Sequence, residues 1–159
     1  MKHLIVLCLL VLINSSCSSK KNYDEAIKIY DESMKIHDEV MPRMDDLFSL
    51  RQHLNQKIDS LRPDSATNIA VLGEMRGAIE ELQRADEAMM DWMHNTEAVP
   101  GSAAESDHSG HNDHGGHQSS ATTEEEIIRI QKDQLASIKK IQTDTEEAIR
   151  KAKQLLGMK

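Results

Sequence analysis

Three long stretches of this chain repeat apolar residues at alternating steps of three and four, and that spacing constrains the fold more than any other feature. Residues on such a stripe share one face of an α-helix, and a neighbouring element must cover that face. Ile27, Tyr30, Met34, His37, Met41, Met44 and Phe48 begin the first stripe, which then shifts to Leu47, Leu54, Ile58 and Leu61. Ile69, Leu72, Met75, Ile79, Leu82, Asp86, Met89 and Met93 make the second; Ile127, Gln131, Leu135, Ile138, Gln142, Thr145, Ile149, Ala152 and Leu156 make the third. No period-two alternation of a strand accompanies them. The spacing predicts an all-α, antiparallel three-helix bundle: a long helical hairpin over 23–96 and a third helix over 122–157.

Local signals punctuate the stripes. "RPDS" at 62–65 marks the hairpin turn, because the residue before a proline avoids the helical region. Asn22 with Glu25 and Thr123 with Glu126 read as helix-starting capping pairs, and Gly157 reads as a stop. Pro42 removes the amide that would bond the Asp38 carbonyl, so a kink or break is expected near Met41. Gly73 and Gly77 share a helix face, where they are expected to admit a neighbouring backbone. Between the second and third stripes, residues 97–121 are rich in Gly, Ser, His and Asp with almost nothing to bury, which predicts a disordered, His-rich loop.

The N-terminus carries an address. Lys2, the apolar run "LIVLCLLVLI" at 4–13 and the small residues of "NSSC" at 14–17 have the make-up of an export signal. The stretch resembles a bacterial lipoprotein signal. That resemblance implies removal of residues 1–16, a lipid on Cys17, a tether over 17–22, and a protein held on a bacterial membrane, facing the periplasm or the cell surface. Without Lys2 the 19 basic residues become 18 against 27 acidic ones, a charge of −9 that argues against a nucleic-acid partner. Cys8 would leave with the signal, so any soft-metal chemistry falls to Met and His.

Those residues cluster. "MKIHDEVMPRM" (34–44) and "AMMDWMHN" (88–95) gather most of the methionines. Folding the hairpin at its turn pairs residues whose numbers sum to about 127, because both arms rise equally per residue. His37 then faces Met90, Met34 faces Met93, and Met41 faces Asp86, near the hairpin's open end. Thioether and imidazole suit Cu(I), and the Trp92 ring offers an electron-rich face to a cation. Methionine is equally a common filler of helical cores, in which case His37 needs only a hydrogen-bond partner such as Asp86. In the loop, His108, His111, His114 and His117 recur every three residues beside Asp107 and Asp113, a donor set that can wrap Zn(II), Cu(II) or Ni(II). The candidate ligands are therefore His37, Met41, Met44, Met90, Met93, His94, His108, His111, His114 and His117, with Cys17 as the lipid site.

In its Met, His and Trp content the chain is similar to periplasmic copper-handling proteins. The signal, the hairpin, "HDEVMPRM" and "AMMDWMH" together resemble a group of small bacterial lipoproteins labelled viral A-type inclusion protein-like, which implies a recurring helical architecture and no particular activity. No Ser/His/Asp or Cys/His arrangement and no Gly-rich phosphate loop points to catalysis. The sequence thus leads to a non-enzymatic, membrane-anchored envelope protein that binds copper or zinc for buffering or hand-off to an envelope partner. The competing expectation is a helical spacer, whose terminal Lys159 resembles the lysine by which some lipoproteins attach to peptidoglycan.

Overall fold

The computed structural model describes residues 19–62, 65–100, 117–118 and 123–158. The protein is an all-α bundle of α1 (Ser19–Val40), a 3-10 turn (Met41–Arg43), α2 (Met44–Leu61), α3 (Ser65–Asn95) and α4 (Glu124–Leu156). α1 and α2 form one long arm, α3 runs back along it, and α4 packs against all three helices. Among the described residues, no helix is long and apolar enough to cross a membrane.

The break after Val40 follows from Pro42, which sits in the first turn of the new segment, where a missing amide costs least. Thr123 caps α4: its side chain accepts from the Glu126 amide at 3.3 Å. Gly157, at φ 70°, ends it, with the Met158 amide reaching back to the Lys153 carbonyl at 2.9 Å. The cap expected at Asn22 is different. That residue lies inside α1, which already includes Ser19.

The buried face of α4 runs through Ile127, Gln131, Ile138, Ile141, Thr145, Ala148 and Ala152. These are heptad steps, the spacing that lets one helix keep a seam against its neighbours along its whole length. Charges flank the seam and set its direction. Lys132 reaches Glu25 at 3.2 Å and Lys139 reaches Glu32 at 2.7 Å, so seven residues on α4 match seven on α1 and the two helices run parallel. Lys151 reaches Glu81 of the antiparallel α3 at 2.6 Å. Such half-exposed pairs contribute about 0–1 kcal/mol each and act mainly on register.

On α1 the buried residues are Ala26, Tyr30, Ser33, Ile36 and Val40, whereas Met41 and Phe48 of the expected stripe are 36% and 58% exposed. The heptad passes through a small alanine and a serine that let α4 approach closely, and a search for large apolar residues steps past both. Ser33 tolerates burial because its hydroxyl donates to the Ile29 carbonyl at 3.0 Å. Ile69 of the second stripe is likewise exposed, at 70%.

The core falls into three layers. Leu47, Leu54, Leu82 and Ala152 represent the layer nearest the turn. Ile36, Val40, Met89, Trp92, Ile138 and Ile141 make the middle layer, and Ala26, Tyr30, Val99 and Ile127 the far one. Burial, with Asp31 beside it, holds the Tyr30 phenol above its usual pKa. The ring therefore stays neutral, and its contribution to stability is lost only as strongly alkaline pH forces it to ionise.

Val99 corrects one expectation. The segment 97–121 was expected to have almost nothing to bury, yet Val99 is 0% exposed. Glu97–Ala98 (β1) pairs in parallel with His117–Gln118 (β2), which is the extent of strand structure among the described residues. Both ends of the histidine-rich segment thus belong to the fold.

Gly73 and Gly77 depart from expectation too. A Cβ built on either meets nothing within 4 Å, so neither admits a neighbouring backbone. Each carries the entropic cost of helical glycine without a packing return. Gly73→Ala and Gly77→Ala are each expected to raise stability by about 0.5–1 kcal/mol; urea unfolding showing a loss instead would mean that these positions serve a close contact.

Candidate metal centre in the middle layer

Trp92 organises the middle layer. Its ring is 6% exposed, and its Nε1 donates to the Gln134 carbonyl of α4 at 3.1 Å, which fixes the indole between α3 and α4. The His37 imidazole stacks on it from α1, with centroids 5.7 Å apart and planes 24° from parallel. Met34, Met44 and Met93 pack, partly buried, against the same layer, and Met89 lies fully buried within it. Three partly buried methionines, one each from α1, α2 and α3, thus border a layer that holds a stacked imidazole and indole.

The polar partner of His37 is its neighbour. Nδ1 lies 3.0 Å from Asp38 Oδ1. A carboxylate there accepts from Nδ1–H, which leaves the ring's lone pair on Nε2, the tautomer that a ligating histidine uses. Asp86, the partner suggested for a core His37, instead takes Arg51 at 3.2 Å. The discrepancy has a geometric cause. Helical side chains lean toward their own N-terminus, so Arg51 and Asp86 on antiparallel arms reach toward each other across a larger index sum than their backbones would give. His37 with Trp92, by contrast, sums to 129, two from the expected 127, so the indole occupies the place assigned to Met90.

The remaining candidates separate. Met90 is 43% exposed and Met41 36%, and both lie outside the core layers. His94 is exposed at the end of α3, where Nδ1 donates to the Met90 carbonyl at 2.7 Å. Asn95 and Thr96 repeat that contact on Asp91 and Trp92, at 2.7 and 2.6 Å. Three successive side chains thus fold back onto carbonyls one turn earlier in α3. Cys17, His108, His111 and His114 lie outside the described residues, as does the side chain of His117. Among the described residues, no group of three His, Cys, Asp or Glu side chains converges on a metal position, so a site in this layer would depend on sulfur.

Two features were not legible from spacing. Asp38 follows His37 directly, and adjacent helical residues do not ordinarily face each other. Gln131 was read only as one position of a stripe. It is 0% exposed, and its Nε2 donates to the Glu97 carbonyl at 2.9 Å. With its amide oriented to suit its neighbours, Gln134 also accepts from the Glu97 amide at 2.6 Å. One strand residue is therefore held by two glutamines of α4, and the second of these also receives Trp92.

No protein-family model, curated protein or solved structure matches this chain. What the fold defines is a class: an all-α bundle whose middle layer is rich in sulfur and carries a stacked His–Trp pair.

The glutamine clamp makes a local claim. Gln131→Leu keeps a similar volume but removes the bond to Glu97, so amide hydrogen exchange at Ala98 and Val99 is expected to quicken at least about tenfold while the helices keep their protection. Unchanged exchange there would show that Val99 burial alone holds the strand.

Proposed function

We propose that this chain is an envelope lipoprotein that holds a soft metal ion, Cu(I), at the middle layer and buffers it or hands it to a partner. The observation that supports this most is the stacking of His37 on Trp92 in a layer that Met34, Met44 and Met93 border. Thioether sulfur with neutral imidazole nitrogen is a donor set that favours Cu(I) over hard cations. Asp38 supplies the carboxylate that orients a ligating histidine. The aromatic plane of Trp92 shields one side of the imidazole from water. In this reading Met34 joins Met44 and Met93, already among the candidates, in place of the exposed Met41 and Met90.

The histidines of the 97–121 segment extend the proposal to capture of Zn(II) or Cu(II). Their segment leaves and rejoins the bundle through the β1–β2 pair, next to the strand residue that the Trp92-bearing layer clamps. Cys17 as lipid anchor belongs to the same proposal and rests on the signal-like N-terminus.

A spacer role has its own support in the uninterrupted heptad seam of α4 and the parallel α1–α4 ladder, which make a stiff rod. Competition against a Cu(I) chelator separates the readings. Replacing Met34 and Met93 by Leu conserves volume and is expected to cost under about 1.5 kcal/mol of stability, while lowering Cu(I) affinity at least about tenfold, which corresponds to about 1.4 kcal/mol. Met41→Leu with Met90→Leu is expected to leave affinity within a factor of about two. The reverse pattern would return the site to the exposed pair, and no effect in either variant would favour the spacer.

A further inference from the structure

Arg43, Arg150 and Lys153 line a groove of about 780 Å³ beside the C-terminal half of α4, with Glu146 as the one acid among its lining residues. The chain has 27 acidic and 19 basic residues, so an average cation has carboxylates to spare. Most use them. Arg51, Arg62, Arg84, Arg129, Lys132, Lys139, Lys140 and Lys151 all form ion pairs. Among the described residues, no ion pair or hydrogen bond engages the three groove cations.

Fold geometry explains the concentration. The turn forced by Pro42 ends at Arg43 and brings its exposed side chain beside α4. Arg150 and Lys153 lie three residues apart in the closing turns of α4 and so share a face. Proximity to the helix C-terminus accounts for Lys153 by itself, because the terminal carbonyls favour a cation. It does not account for Arg43, which comes from another element, nor for the failure of Arg150 to pair with Glu146 one turn earlier.

Ile149, 4% exposed, and Met158, 47% exposed, are the large apolar side chains of its lining. Two guanidinium forks and an ammonium lining one groove suit a compact anion with several oxygens, since guanidinium binds phosphate through paired, planar hydrogen bonds. We infer that the groove between the Pro42 turn and the end of α4 binds a phosphate-bearing anion, either a soluble phosphate compound or a lipid headgroup. The site is separate from the middle layer, and neither it nor the metal reading depends on the other.

Titration calorimetry of the full chain with inorganic pyrophosphate, and sedimentation of its Cys17→Ser form with phosphatidylglycerol or phosphatidylcholine vesicles, distinguish the two sources. Saturable pyrophosphate binding that weakens with added salt, and falls at least about tenfold in Arg43→Gln with Arg150→Gln, is expected for a soluble ligand. Sedimentation with phosphatidylglycerol alone, lost in the same variant, would place the phosphate on a lipid. Arg43→Lys with Arg150→Lys retains charge without the fork and is expected to give an intermediate loss even if the glutamine variant folds poorly. Lys28→Gln with Lys35→Gln is the control and is expected to change nothing. Absence of binding in both assays, or binding that survives loss of both arginines, would overturn the inference.

Discussion

Everything in this bundle depends on α4 keeping one continuous seam against two arms that run in opposite directions. Its heptad spacing supplies the seam from Ile127 to Ala152, and α4 receives a defining contact in each layer. Small or polar seam positions make the approach close, and the flanking lysines meet glutamates of α1 in step. Without α4, the hairpin would expose Trp92, Met89, Val40 and Ile36 on one side. The site proposed for a metal is therefore made by the third helix as much as by the hairpin that carries its sulfur.

Gln134 shows how the layers are coupled. Its backbone receives the Trp92 indole while its side chain, with that of Gln131, holds Glu97. Polar groups buried in this way stay only where their partners are supplied, and here the partner is the strand leading into the histidine-rich segment. The entry to that segment and the wall of the middle layer are thus fixed by the same turn of α4.

The helical architecture was legible because its signals are local and redundant: stripes, Pro42, the Thr123 cap and Gly157 each pointed to boundaries that the fold has. The level at which the two Met-rich stretches meet was legible as well, since equal rise per residue left the His37–Trp92 pair two residues from its expected register. The site's membership was less so. Which methionine lies inward depends on the angle between three helices: Met34 borders the core, behind a buried face that runs through Ala26 and Ser33, while Met41 faces out. Asp38 was hidden by its adjacency to His37, and the burial of Val99 by the polar company it keeps in sequence. Apolar periodicity reports which face is covered; it does not report how closely a small residue lets the cover approach.

The central claim is that the middle layer is a binding site and not only a core, and the direct measurement is X-ray absorption at the copper edge of the Cu(I)-loaded chain. The account predicts a first shell dominated by sulfur with one imidazole nitrogen, and loss of sulfur scattering in Met34→Leu with Met93→Leu while the helical signal is unchanged. A shell of nitrogen alone, indifferent to those methionines, would contradict it and leave the stacked His37–Trp92 pair as packing.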